Sequence, residues 1–257
     1  MGSLAREIGS FSLELLPRRG YAAAYRADRA AIGFAFETQH GLHAFASDRR
    51  IPFTARANGL AFVPAGCDVF SQSEQGGEYL RVALTHDAST SGDRQFTDRI
   101  DPAATPAARR LRALLLGDGE PLEIEAMVLR LLERALEVPS AEPRPARWMT
   151  PRRLRQIEEL IEARLDRKLT VQELAAGLGL SAGFFARAFA AALGQAPHDY
   201  VIDRRVARAR ALLSERSLRL DQVALACGFS SHAHMTATLR SRLGVTPGQL
   251  RASAHGL

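Results

Sequence analysis

Apolar positions follow two rhythms along this chain. Between residues 31 and 84 they form short runs: Ala31–Phe36, His43–Phe45, Ile51–Ala55, Leu60–Val63, Val69–Ser71 and Tyr79–Leu84. Turn signals separate the runs at Asn58-Gly59, Pro64-Ala65-Gly66 and Gln75-Gly76-Gly77. Asn-Gly and Gly-Gly tolerate positive φ and so suit hairpins. Closely spaced strands of this kind predict a small barrel or sandwich. From residue 107 the period becomes three and four. Ala107–Leu116 carries Leu111, Leu114 and Leu115 on one face, and Leu122–Leu136 carries Ile124, Met127, Val128, Leu131, Leu132 and Ala135. These are two amphipathic helices, broken at Gly117-Asp118-Gly119, with Pro121 opening the second. Their stripes either pack on the barrel or pair with a second copy of the chain.

Residues 139–150 read PSAEPRPARWMT. Pro139, Pro143 and Pro145 stiffen this stretch and push the residues before them out of helical geometry. It predicts a first domain over 1–138, a linker over 139–150 and a second domain over 151–257.

The second domain contains a repeat. LTVQELAAGLGLS (169–181) aligns with LRLDQVALACGFS (218–230) at an offset of 49. Leu174 matches Val223, Ala175 matches Ala224 and Gly179 matches Gly228. One extra residue enters at Ser230-Ser231, and the offset becomes 50: Ser181 matches Ser231, Phe185 matches Met235, Phe189 matches Leu239, Gly194 matches Gly244 and Pro197 matches Pro247. Two copies of one supersecondary unit are the economical explanation. In the first copy Thr170-x-x-Glu173 is a capping box. Gly179 permits a sharp turn, Ser181 caps a second helix and Gly194 ends it. A short helix, a glycine turn and a capped second helix make a helix-turn-helix, whose second helix enters the DNA major groove. Pro197 opens a connecting helix to about Leu213, and Leu154–Leu165 braces the first copy. About 17 residues at ~1.5 Å each span ~25 Å, enough to place two reading helices on one face of a duplex.

Charge sharpens this picture. The chain has 257 residues with 34 Lys+Arg and 28 Asp+Glu. Residues 1–150 hold 18 basic and 19 acidic side chains, whereas 151–257 hold 16 and 9. The whole positive excess lies in the second domain, which suits a polyanion. No apolar run approaches ~18 residues, and Arg6-Glu7 stand where a secretory apolar region would begin, so a cytoplasmic chain without a membrane span is expected. Cys67 and Cys227 match no zinc or redox spacing. Cys67 stands beside the acidic Asp68 and Cys227 on the inner face of a helix, so neither suits an alkyl-accepting thiolate.

Residues 151–251 resemble the DNA-binding domain of the AraC/XylS transcription regulators. The carrying residues are Leu174-Ala175, Ser181-x-x-x-Phe185-x-Arg187-x-Phe189, Gly194, Tyr200, Arg205-x-x-x-Ala209-x-x-Leu212-Leu213, Ala224-x-x-Cys227-Gly228-Phe229-Ser230-Ser231, Gly244-Val245-Thr246-Pro247 and Arg251. The resemblance implies an α+β multidomain chain. Its N-terminal half would be a small cupin-like β-barrel with two helices, serving effector binding and dimerisation. Its C-terminal half would be all-α, two helix-turn-helix units joined by a helix. The implied function is a sequence-specific transcription regulator, an activator touching RNA polymerase, controlled by a small-molecule effector and acting as a homodimer on double-stranded DNA.

By the same resemblance the base-facing residues are Gly183, Ala186 and Arg187, then His232, Ala233, His234, Thr236 and Ala237. An arginine such as Arg187 pairs bidentately with guanine. Ser181, Arg205, Ser231, Arg240 and Arg242 are the expected phosphate contacts. The chain departs from the family at Met235 and Leu239, where aromatics are usual, and at Ala237, often arginine. Phe34, Phe36, Phe45, Phe53, Phe62 and Phe70 are candidates for an effector pocket, and equally for plain core. No cofactor and no metal are expected. His40 and His43, three apart on a strand, point to opposite faces, and His86 stands alone. The competing reading, a cupin-like enzyme fused to a DNA-binding module, finds no His-x-His metal pair in the first domain.

Overall fold

The computed structural model describes residues 3–84, 95–137, 145–215 and 218–253. The chain divides into two compact units at about residue 140. The first contains β1 (Leu4–Ile8), β2 (Phe11–Leu16), β3 (Tyr21–Arg26), β4 (Ala31–Ala35), β5 (Gln39–Phe45), β6 (Ile51–Ala55), β7 (Gly59–Val63), β8 (Asp68–Ser73), β9 (Tyr79–Leu84) and β10 (Phe96–Ile100). They form two antiparallel sheets, ordered β1-β2-β9-β4-β7-β10 and β3-β8-β5-β6. Among the described residues no ladder joins the sheets, so the expected closed barrel is corrected to two separate sheets. The edge strand β10 is irregular. Its register against β7 shifts between Phe96 and Arg99, and Asp98 there has φ +59. The Asp98 carboxylate accepts from the Arg56 backbone N–H at 2.6 Å and from its Nε at 2.7 Å. A bulge of this kind bends the strand and ends pairing.

Helices α1 (Ala104–Leu116) and α2 (Pro121–Leu136) pack on the six-stranded sheet. Leu13, Ile32, Phe34, Leu60, Phe62, Leu80 and Val82 meet Leu111, Leu115, Ile124, Val128 and Leu131 in one core. Each fully buried side chain of this size contributes roughly 1.5–3 kcal/mol.

The six phenylalanines do not share a pocket, and that expectation is corrected. Phe34, Phe36 and Phe62 are in this core. Phe45, Phe53 and Phe70 are half-buried on the other sheet. There the strand alternation turns Phe70, which pairs with Ala44, away from Phe45 and Phe53.

The second unit begins with a 3-10 turn over Ala146–Trp148. It continues with α3 (Pro151–Glu162), α4 (Val171–Ala176), α5 (Ala182–Leu193), α6 (Pro197–Leu213), α7 (Leu220–Ala226), α8 (His232–Leu243) and α9 (Pro247–Ser253). Leu154, Ile157, Ile161 and Leu165 are buried, as are Phe185, Phe189, Val206, Val223, Met235 and Leu239. No described helix is long and apolar enough to cross a membrane.

Candidate nucleic-acid interface

The two helix-turn-helix copies repeat the same backbone hydrogen bonding at offsets of 49 and then 50. Thr170 and Glu173 form the capping box of α4. After that helix, the Gly179 N–H donates to the Ala176 carbonyl and the Leu180 N–H to the Ala175 carbonyl, both at 3.0 Å. After α7, the Gly228 N–H donates to the Leu225 carbonyl at 2.9 Å and the Phe229 N–H to the Ala224 carbonyl at 3.0 Å. Gly179 and Gly228 have φ +68 and +74, a region where a Cβ is costly. Ser181 then caps α5 by accepting from the Phe184 N–H at 3.3 Å, and Ser231 caps α8 by accepting from the His234 N–H at 3.1 Å. Gly194 and Gly244 close both helices in the left-handed region.

The inner faces leave outer faces open. Gly183 and Arg187 of α5 are exposed and Ala186 is half-buried, while His232, Ala233, His234 and Ala237 of α8 are exposed. The His234 ring is engaged locally, with Nδ1 3.0 Å from Ser230 Oγ and the ring edge-on to Phe229. Thr236 is a correction: its hydroxyl is closed off from solvent with no hydrogen-bond partner, so that oxygen is not offered to a base edge.

The expected phosphate contacts divide. Ser181, Ser231 and Arg240 are exposed. Arg205 instead donates through Nε to the Leu165 carbonyl at 3.1 Å and through Nη2 to the Arg167 carbonyl at 2.7 Å. It satisfies carbonyls left open beyond α3. Burial lowers the Arg205 pKa and pushes the nearby Cys227 thiol up to about 11. Arg242 is held by Asp199 at 2.5 Å and Asp203 at 3.6 Å, tying α8 to α6. Both arginines are therefore engaged by partners within the fold. Their acceptors lie about 40 residues away in sequence, and the local pattern gave no sign of them.

Sequence reasoning also missed an aromatic contact beside α5. Trp148 meets Phe184 edge-on at 5.4 Å between ring centroids, and the Arg153 guanidinium lies 3.6 Å from the Trp148 centroid. Part of the stretch expected as linker is therefore built into the second unit, with Ala146 and Met149 buried. Pro139, Pro143 and Pro145 hid the signal, since they read only as non-helical.

In the first unit, His40 Nδ1 lies 3.0 Å from Thr54 Oγ1, while His43 stacks on Phe53. The two imidazoles are not brought together. No group of three His, Cys, Asp or Glu side chains suited to a metal occurs among the described residues, and His86 lies outside them. A cleft of about 370 Å³ is lined by Thr38, Gln39, His40, Gly41, Gln72 and Ser73, among others. Gln39 is buried, and its Oε1 has no partner.

Residues 174–253 match a family described as a helix-turn-helix domain. Over 104 residues the chain is 35% identical to the HTH-type transcriptional regulator ArgR of Pseudomonas aeruginosa, covering 40% of this chain and 32% of that protein. The C-terminal unit contains a helix-turn-helix domain. The chain is also 36% identical over 91 residues to the probable transcriptional regulator LumQ of Photobacterium leiognathi, covering 35% of this chain and 37% of that one. A solved transcriptional regulator with an AraC-type DNA-binding domain from Chromobacterium violaceum is 34% identical, covering 41% of this chain and 94% of that chain, with a TM-score of 0.39. The chain spans about a third of the length of the curated relatives it matches.

Proposed function

We propose that the chain is a sequence-specific DNA-binding transcription regulator, not an enzyme, acting in the cytoplasm through its AraC-type domain. One observation carries the reading: a capped helix after a left-handed glycine turn occurs twice, at offsets of 49 and 50, in the half that holds all the excess positive charge. Base reading falls to the exposed outer residues Gly183, Arg187, His232, Ala233, His234 and Ala237, with Ala186 at the margin. Ser181, Ser231 and Arg240 hold phosphates. The N-terminal unit senses a small molecule, and the polar cleft bordered by the unpartnered Gln39 oxygen supports that role. The exposed leucines of α2 pair two copies, and the regulator activates by contacting RNA polymerase.

The test starts by selecting duplexes from a randomised pool with the full chain, then compares a selected with a scrambled duplex. Affinity falls steeply with salt, because bound phosphates release counterions. Arg187→Ala loses about 1–3 kcal/mol on the selected duplex through the missing guanine contact, with little loss on the scrambled one. Equal loss on both assigns Arg187 to phosphate instead, and a flat salt profile overturns the whole reading.

A further inference from the structure

We infer that the segment Pro145–Arg155, ahead of the first helix-turn-helix, is a third DNA-contacting element, in which Arg147 and Arg152 hold backbone phosphates flanking the bases read by α5. The inference rests on the DNA-binding reading above and adds a surface that neither reading helix provides.

The segment contains four arginines and no acidic residue. It is fixed to the reading helix rather than tethered loosely. Ala146 and Met149 are buried, and the Trp148 ring abuts Phe184. Arg153 stacks on Trp148 and donates from Nη1 to the Trp148 carbonyl at 3.0 Å. Thr150 accepts from the Arg153 N–H at 3.4 Å and so caps α3. Phe184 is the third residue of α5, next to the exposed Gly183 and one turn before Arg187. The segment is thus anchored at the N-terminal part of α5, the part that reads bases when such a helix lies in the groove.

Arg153 is used up in bracing, whereas Arg147 and Arg152 are exposed and make no hydrogen bond or ion pair among the described residues. Helix α5 carries a single charged side chain, Arg187, and Arg205 and Arg242 are occupied by acceptors of their own chain. Phosphate contacts fix register and supply much of the affinity. A guanidinium on a rigid turn is suited to this role, because it pairs with phosphate through parallel hydrogen bonds.

The experiment uses the full chain and a duplex selected from a randomised pool, in a long form with ten flanking base pairs on each side and a form trimmed to the recognised bases. Arg147→Ala/Arg152→Ala is compared with Arg19→Ala/Arg26→Ala, which removes the same charge from exposed positions of the N-terminal unit. On the long duplex the first pair weakens binding about tenfold, and the slope of log affinity against log salt falls by about 1.8, roughly 0.9 per lost phosphate contact. The control pair changes neither, and on the trimmed duplex the first pair binds like wild type. Arg147→Lys/Arg152→Lys keeps most of the wild-type affinity, which separates charge from folding. Trp148 is the sole tryptophan, so its emission changes when the long duplex binds and less with the trimmed one. Wild-type affinity of the first pair on the long duplex, or a loss equal to the control's, overturns the inference alone. Absence of duplex binding by the wild-type chain overturns the DNA reading and this inference with it.

Discussion

Gly179 and Gly228 occupy matching places in the repeat, yet their surroundings differ. A Cβ on Gly179 would meet nothing within 4 Å, whereas one on Gly228 would lie 2.2 Å from the Leu165 carbonyl and 3.0 Å from the Arg205 guanidinium. Gly179→Ala should cost only the left-handed backbone penalty, roughly 1–2 kcal/mol. Gly228→Ala should add overpacking of about 1–3 kcal/mol to the same penalty, and should displace Arg205 from its carbonyls. Urea midpoints of the two variants check this, and equal shifts would contradict the packing described. The repeat made both glycines legible as turns. It could not separate them, because the difference comes from Leu165 and Arg205, far from either turn in sequence. The same limit applies to Arg242: a basic stretch identifies a cation, but only the fold brings Asp199 and Asp203 to it.

At the level of elements, periods of three and four were readable in α1 and α2, and the buried stripe Ile124, Val128, Leu131 and Ala135 lies against the sheet. The helix has a second apolar line that the core does not use. Leu122, Leu129 and Leu136 recur every seven residues and are 79%, 50% and 38% exposed. A seven-residue leucine repeat is the seam of a two-helix interface, which is why pairing of two copies through α2 is proposed. Leu129→Arg should shift sedimentation towards the monomer while moving the melting temperature little, since an exposed position contributes only about 0.5 kcal/mol to folding. An unchanged sedimentation profile would remove α2 from the interface. Strands were less legible than helices. β1, β3 and β10 were not expected, because LAREI, YAAAYR and FTDRI carry charges or alanines with little strand preference. In β2 the alternation of Phe11, Leu13 and Leu15 is legible in the sequence.

For the whole molecule, the asymmetry of charge and the duplication pointed to DNA before any coordinates did, and what they left open was whether one copy of the chain reads two segments by itself. Within the C-terminal unit the answer turns on α6. It runs 17 residues without interruption, about 25 Å. Phe189 of α5 meets Tyr200 of α6 edge-on at 5.4 Å between ring centroids, and Arg242 ties α8 back to Asp199. Both helix-turn-helix units are therefore braced to one rigid connector, and their separation is set by the fold. Successive major-groove segments on one face of a duplex lie about 10 base pairs apart. Inserting five base pairs between the two recognised segments turns the second about half a turn away, and binding should fall to that of a single helix-turn-helix. Inserting ten restores the face but adds ~34 Å of distance, which a braced connector cannot bridge, so affinity should stay low. Two copies joined by a flexible link would tolerate that insertion. Recovery at ten base pairs, measured by titration on the three duplexes, would therefore assign the two segments to different copies of the chain and deny α6 its role as the ruler.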